Sequence, residues 1–332
     1  MPPLVTIICP VRNEEDHISE CIESLLDQTF DIKDMEILIV DGLSDDRTRE
    51  VVQGFQSKYK NIKLLDNPHR IVPSALNIGI KASSGKFILR MDGHAKAAQD
   101  YVEKCIEALK RNGAECVGGP ITTFNHSRTG QAISLAMSSP FGVGNSGFRT
   151  NNERECFVDS LAFPAYKREV FEKFGLFDEE LVRCQDDEFN FRIRKDGGKV
   201  LLSPAIRSWY YARSSFKDVW RQYFGYGYWK VRLLQKHFRM MQARHFVPAI
   251  FVASLISSMT LTLLMRPAFW LFLLILSSYL VASLSAAILT WRCNRQVSFF
   301  RLLTSFYVLH FSYGTGFLWG LIRFAPRWFM KK

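Results

Sequence analysis

The sequence predicts an α/β fold, a Rossmann-like, mostly parallel sheet with flanking helices, followed by C-terminal transmembrane helices. Three observations predict it. Short β-branched runs alternate with helical apolar patterns through residues 1–120, as βαβ units do. Residues 247–265, 268–291 and 302–322 form uncharged stretches of 19, 24 and 21 residues, each long enough to cross about 30 Å of hydrocarbon as a helix. The charge is also divided along the chain. Fifteen Lys and Arg against the single acid Asp218 give residues 217–332 a net +14, while twenty-eight against thirty-one give residues 1–216 a net −3.

Taken in order, residues 5–9 read as a first buried strand, and Ile18, Cys21, Ile22, Leu25 and Leu26 give the next segment one apolar helical face. A second strand over 35–40 ends in Asp41. Ser44, Asp45 and Asp46 then offer cap oxygens to a helix carrying Val51, Val52 and Phe55. A strand over 62–65, a helix over 73–82 and a strand over 86–91 ending in Asp92 follow. The next helix places Tyr101, Val102, Cys105, Ile106 and Leu109 on one side. Residues 120–216 are less regular, with Gly, Ser, Asn and Pro gathered over 138–152, and read as loops and an extension of the same domain, which is thus expected to span 1–216. Residues 217–246 are basic and aromatic, with Trp220, Tyr223, Phe224, Tyr226, Tyr228 and Trp229, a composition suited to a membrane interface. Residues 247–332 form the membrane region.

The formal net charge of +11 and mean hydropathy of −0.02 would suit a basic soluble protein, but the basic residues flank apolar runs rather than cover a folded face, so nucleic acid is not the expected partner. The start of the chain lacks a basic n-region and a signal-length apolar run, which places the first domain in the cytosol. Seven cysteines, odd in number and never spaced CxxC, read as free thiols in a reducing compartment. The positive-inside rule then sets Arg266 outside and Arg292, Arg295 and Arg301 inside. A third crossing would put Arg323, Arg327, Lys331 and Lys332 outside against that rule, so the last segment is either re-entrant or interfacial, or leads to an external C-terminus.

Candidate chemistry falls at strand ends, where open α/β sheets bind ligands. No G-x-G-x-x-G follows the first strand; Pro10-Val11-Arg12-Asn13-Glu14-Glu15 stands there instead. Asp41 reads either as a ligand for a base or ribose or as a helix cap. In Arg90-Met91-Asp92-Gly93-His94, two ligand-type residues two apart could address one cation, with Gly93 letting the backbone approach closely, and such a cation could neutralise a diphosphate leaving group. Gln185-Asp186-Asp187-Glu188 opens a helix, where carboxylates suit the dipole and could also supply a general base. Gln222 to Trp229 is polar and aromatic, able to stack a sugar or to anchor at an interface.

Five ordered motifs, the opening Val5 to Glu15 segment, Val40-Asp41-Gly42-x-Ser44, Asp92-x-His94, the Asp186 cluster and Gln222-Tyr223-Phe224-x-Tyr226-Gly227, together resemble glycosyltransferase family 2, and within it the ExoA-like enzymes of succinoglycan biosynthesis. The resemblance covers about residues 4–245. It implies a GT-A fold, a nucleotide-diphosphate sugar donor, Mg or Mn, and inversion at the anomeric carbon. It implies further that Pro10 and Glu14 line the nucleotide pocket, that Asp41 contacts base or ribose, that Asp92 and His94 take the family's Asp-x-Asp position as metal ligands, that Asp186 is the catalytic base, and that Gln222 sits near donor diphosphate or acceptor. Two departures stand out: Gln185 occupies the place of the usual Glu before the base, leaving Asp187 or Glu188 to tune it, and Gly225 occupies the place of an Arg in the Gln-x-x-Arg-Trp type of motif.

The expectation is therefore an inverting, metal-dependent glycosyltransferase of exopolysaccharide biosynthesis, multi-pass in the cell (inner) membrane with its catalytic domain cytoplasmic, acting on a polyprenyl-diphosphate-linked saccharide. Two other readings stand beside it: transfer to a polyprenyl monophosphate, which needs no base, and a non-catalytic membrane scaffold of a polysaccharide assembly complex, which would bind no nucleotide sugar in a metal-dependent way.

Overall fold

Strand β1 (Val5–Val11) is buried at every position, which is why its sequence is a continuous apolar run rather than an alternating one. In the computed structural model, which describes residues 2–111, 113–144, 146–150 and 153–328, helix α1 (Ile18–Leu26) buries Ile18, Cys21, Ile22 and Leu25 at the expected spacing. Met1, Asn152, Lys331 and Lys332, which entered the readings of the chain start, the 138–152 loop and the C-terminal topology, lie outside the described residues. Strand β2 (Met35–Asp41) is buried throughout and runs parallel to β1, with Val11 opposite Asp41. Helix α2 (Thr48–Lys58), strand β3 (Ile62–Asp66), helix α3 (Val72–Ala82, with Pro73 in its first turn) and strand β4 (Phe87–Arg90) complete the first βα units. The expected cap of α2 is not formed by Ser44 or Asp45: Asp46 accepts from the Thr48 N–H at 2.9 Å, and Ser44 is drawn instead to Asp41. Strand β4 ends at Arg90, so Asp92 lies in the turn beyond it rather than at its tip.

Strand β5 (Ala95–Ala97), helix α4 (Tyr101–Arg111), strands β6 (Cys116–Gly118) and β7 (Ile121–Phe124), and helices α5 (Arg128–Met137), α6 (Pro140–Val143) and α7 (Gly147–Thr150) follow. Next come strands β8 (Cys156–Phe157) and β9 (Ala165–Lys167), helices α8 (Arg168–Phe174) and α9 (Gln185–Lys195), and strands β10 (Val200–Leu202) and β11 (Ser208–Tyr211). The main sheet has eight strands in the order β3-β2-β1-β4-β9-β6-β10-β8, and a second sheet has the order β5-β11-β7. β3, β2, β1 and β4 are parallel, so Asp66, Asp41, Val11 and Arg90 finish at one edge. β9 enters antiparallel between β4 and β6. The order turns back between β1 and β4, the type of switch point at which such sheets bind ligands. Ile8, Leu38, Val40, Leu76, Ile80 and Ile88 share one core with Tyr166, Phe171, Phe177 and Phe189. Phe189 is wholly buried, stacked on Phe171 at 5.2 Å between centroids and 5.4 Å from Tyr166, and so fixes α9 and the carboxylates at its start.

The chain divides into two compact units, residues 1–122 with 147–211, and residues 123–146 with 212–332. The segment 123–146 thus groups with the C-terminal helices α10 (Phe216–Lys236), α11 (Ala243–Leu261), α12 (Arg266–Arg292) and α13 (Phe299–Arg323). Within the second unit α10 and α13 meet backbone to backbone. A Cβ on Gly227 would lie 2.1 Å from the Tyr313 carbonyl oxygen, and one on Gly316 2.1 Å from that of Phe224. His310 of α13 bonds the Phe141 carbonyl of α6 through Nε2 at 2.8 Å and the Tyr279 hydroxyl of α12 through Nδ1 at 2.9 Å. Among the described residues one helix, α12, is long and apolar enough to cross a membrane, and Trp270, Leu274, Val281 and Leu289 are exposed on it. The apolar part of α11 spans only Val247–Leu261, about 22 Å at 1.5 Å per residue, because the regular helix stops before 265. α13 does not qualify: Ser305, Ser312, Gly314 and Gly316 sit on its packed face, in keeping with the interruptions legible in its sequence.

Candidate active site

Four of the expected site residues converge at the β1/β4 edge of the first unit: Glu14, Asp92, His94 and Asp186. The residue that joins two of them is Arg90, to which the sequence reading gave no task. Its guanidinium is about nine-tenths buried. Nε donates to Asp92 Oδ1 at 2.9 Å, Nη2 lies 2.9 Å from the same oxygen, and Nη1 donates to Asp186 Oδ2. A cation ending the otherwise apolar run Phe87-Ile88-Leu89 was the available signal, because a buried charge demands a partner.

Asp186 lies in the first turn of α9, just after Cys184, whose φ of 66° turns the chain into the helix. Oδ1 is buried without a hydrogen-bond partner, while Oδ2 is shared by Arg90 and by the Gln185 amide at 3.3 Å. Burial pushes the Asp186 carboxyl above the usual range, and the Arg90 charge opposes that rise. Of the two residues expected to tune the base, only Asp187 acts on Asp186, its charge helping to raise the carboxyl. Glu188 is held by Arg192 Nε at 2.9 and 3.0 Å, and Arg192 in turn ties down the Phe174 and Leu176 carbonyls, so that pair is structural.

The turn after β4 is closed by the Ala95 N–H donating to the Asp92 carbonyl at 3.0 Å. Gly93 is required in it: a Cβ there would lie 2.8 Å from Val11 Cγ1 and 3.2 Å from Glu14 Cγ. His94 Nδ1 is 2.8 Å from Glu14 Oε1, and its ring meets the edge of Tyr210 at 5.0 Å. Asp92 thus offers Oδ2 and His94 offers Nε2. Among the described residues no three His, Cys, Asp or Glu are grouped to hold a metal by themselves. Two donors of this chemistry fit Mg or Mn, which bind through one or two protein groups and share the rest of their shell with substrate phosphates and water.

Pro10 is buried in β1 opposite Val40. Asp41 is fully buried, receives the Ser44 N–H at 3.1 Å and Arg49 Nη1 at 2.6 Å, and Arg49 continues to Asp66 at 2.8 Å. Asp41 therefore organises the loop over β2, with the Asn13 N–H bound to Ser44 Oγ at 2.9 Å, rather than capping α2. Gln222 belongs to the second unit, buried on α10 with its amide donating to the Tyr226 hydroxyl at 3.0 Å.

Known proteins resemble this chain in both sequence and fold. A glucuronosyltransferase of Methanococcus voltae, named for transfer to dolichyl N-acetyl-α-D-glucosaminyl phosphate, is 32% identical over 240 residues, covering 70% of this chain and 74% of that one. The succinoglycan biosynthesis protein ExoA of Rhizobium meliloti is 28% identical, covering 73% of each chain. The mannosyltransferase PcManGT of Pyrobaculum calidifontis, solved with GDP-Man and Mn2+, superposes with a TM-score of 0.59 over 96% of this chain and 88% of its own at 19% identity, which shows the α/β GT-A-like fold with its mostly parallel sheet. The model of glycosyl transferase family 2 matches residues 6–175, half of the sequence, so the chain belongs to glycosyltransferase family 2 and is a glycosyltransferase.

Proposed function

We propose that the chain is an inverting glycosyltransferase that moves a sugar from a nucleotide-diphosphate donor to a hydroxyl of a lipid-linked saccharide, with Asp186 as base and Mg or Mn at Asp92 and His94. The observation that carries this reading is the unpartnered Oδ1 of Asp186, on the carboxylate that shares Arg90 with Asp92. An unsatisfied buried acceptor costs about 1–3 kcal/mol, an arrangement that suits a group waiting for a hydroxyl donor. Burial raises the proton affinity of this carboxylate and Arg90 opposes the rise, so its ionised form can accept the hydroxyl proton as the oxygen attacks the anomeric carbon. The nucleotide would lie along the loop built on Pro10 and Asp41, with Gln222 addressing diphosphate or acceptor; the Glu14 carboxylate is engaged by His94 instead. A cation held by Asp92 and His94 would supply positive charge for the departing diphosphate.

The Methanococcus voltae relative is named for a sugar acceptor on a lipid phosphate, which supports a lipid-linked saccharide here. A bare polyprenyl phosphate would leave Asp186 without a proton to take. The same reading assigns residues 1–216 to a cytoplasmic transferase domain, 217–246 to the headgroup layer and 247–332 to a multi-pass region of the cell membrane, supported by the exposed apolar surface of α12. A screen of nucleotide sugars against the purified chain, with and without Mn and with a polyprenyl-linked saccharide acceptor, tests it. Hydrolysis or transfer of none of them, or transfer unaffected by Asp186→Asn, would sink the assignment.

A further inference from the structure

We infer that Glu14 is a positioning residue of the cation site, holding the His94 imidazole so that Nε2 carries the coordinating lone pair; this rests on the reading of Asp92 and His94 as cation ligands. The sequence reading placed Glu14 against the nucleotide. In the structure its Oε1 is committed to His94 Nδ1 at 2.8 Å, with the two side chains only 10% and 12% exposed. An ionised carboxylate can only accept, so the proton of the bond belongs on Nδ1, and in the neutral imidazole that a metal requires the lone pair is then on Nε2. A carboxylate behind a histidine in this way fixes both the tautomer and the ring plane of a metal ligand.

Glu14 is itself held firmly enough for that role. Its N–H donates to Thr48 Oγ1 at 2.8 Å, its carbonyl accepts from His17 and Ile18, and its side-chain stem rests over Gly93, where a Cβ would meet Cγ at 3.2 Å. Tyr210 closes on the imidazole at 5.0 Å, and the Tyr211 N–H fixes the His94 carbonyl at 3.0 Å. Asp92 is oriented by Arg90 in the same fashion, through one oxygen that leaves the other available. Each ligand of the pair therefore has its own orienting partner of opposite or complementary polarity. This also suits a histidine to this position, because a tether on one ring nitrogen fixes the tautomer and the direction of the lone pair on the other.

The test is Mn2+ titration by calorimetry into the full-length protein saturated with UDP and, in parallel, with GDP, together with electron spin echo detection of imidazole nitrogen coupled to Mn2+. Glu14→Leu is expected to weaken Mn2+ binding about 10- to 100-fold and to diminish the nitrogen modulation, with metal-free nucleotide binding unchanged. Glu14→Gln, which keeps an acceptor for Nδ1–H, should lose less than Glu14→Leu. If Glu14→Leu binds Mn2+ as the parent does while His94→Ala loses both affinity and modulation, the positioning role is overturned and the cation site stands. If Glu14→Leu instead loses metal-free nucleotide binding with Mn2+ affinity intact, Glu14 belongs to the nucleotide and the inference fails. Absence of nitrogen coupling in the parent protein would overturn the ligand assignment itself.

Discussion

Arg90 and Asp186 are joined by a part-buried charge-assisted hydrogen bond, and the same guanidinium grips Asp92 at 2.9 Å. One cation thus sets the distance between the expected base and an expected metal ligand that stand 94 residues apart in the chain. Arg90→Met removes the counter-charge of two partly buried carboxylates. The expected loss of folding stability is about 3–5 kcal/mol, the range for breaking a buried pair from one side, measured by denaturant unfolding of the detergent-solubilised protein. A loss of about 0–1 kcal/mol, as for a surface pair, would show that Arg90 does not hold the site together.

Asp186→Asn is expected to lower transfer about 100- to 10,000-fold while donor binding persists, as read by turnover and by nucleotide-sugar titration of the same preparation. The pH profile follows from the direction of its shift. Burial raises the carboxyl above the ordinary aspartate range, and a base works only when deprotonated, so kcat falls on the acid side at a higher pH than an unperturbed aspartate would give. An acid limb at ordinary aspartate values would remove Asp186 from the role.

Glu36 offers a stability test away from the site. It is 5% exposed inside β2 and accepts from Thr6 Oγ1 at 2.6 Å and from Ser84 N and Oγ at 2.6 and 2.9 Å. Burial pushes its carboxyl up, but those donors outweigh it and hold it below the usual range. A depressed folded value means the stabilisation is present above the ordinary carboxylate range and fades as pH falls through the lowered one. Glu36→Ala should cost about 1–3 kcal/mol at neutral pH, with the gap to the parent narrowing in acid when unfolding is compared across pH.

Gly227→Ala should destabilise the α10–α13 contact by about 1–3 kcal/mol, since its Cβ would stand 2.1 Å from a carbonyl oxygen with no flexible side chain to give way. Gly54, exposed and with nothing near an added Cβ, is the control: Gly54→Ala in α2 should be neutral or gain up to about 1 kcal/mol. Thermal unfolding of the two variants side by side separates packing from helix propensity.

The first βα units were legible because local periodicity determines them: β1, β2 and β3 as unbroken apolar runs, α1 and α4 through evenly spaced buried residues. Asp92, His94 and Asp186 were legible by residue type and by place at element ends. What local pattern could not carry is pairing across the chain. β9 slots antiparallel between β4 and β6 although about 75 residues separate it from β4, and no periodicity in Ala165-Tyr166-Lys167 encodes that register. For the same reason Arg90 was passed over, since its partners are settled only when α9 reaches the end of β4. The segment 123–146, read from its small residues as loops, groups with the C-terminal helices, because small residues suit a close helix contact as well as a loop; a Cβ on Gly142 would stand 3.3 Å from Leu309 Cδ1 of α13.

The glycine-lined meeting of α10 and α13 has a mechanical side. Where side chains interdigitate, a rotamer change can absorb a small slide or roll of one helix on another. Between Gly227 and Tyr313, and between Gly316 and Phe224, there is nothing to re-pack. At these two points a slide of one helix over the other has backbone on both sides to displace, with no rotamer to take it up.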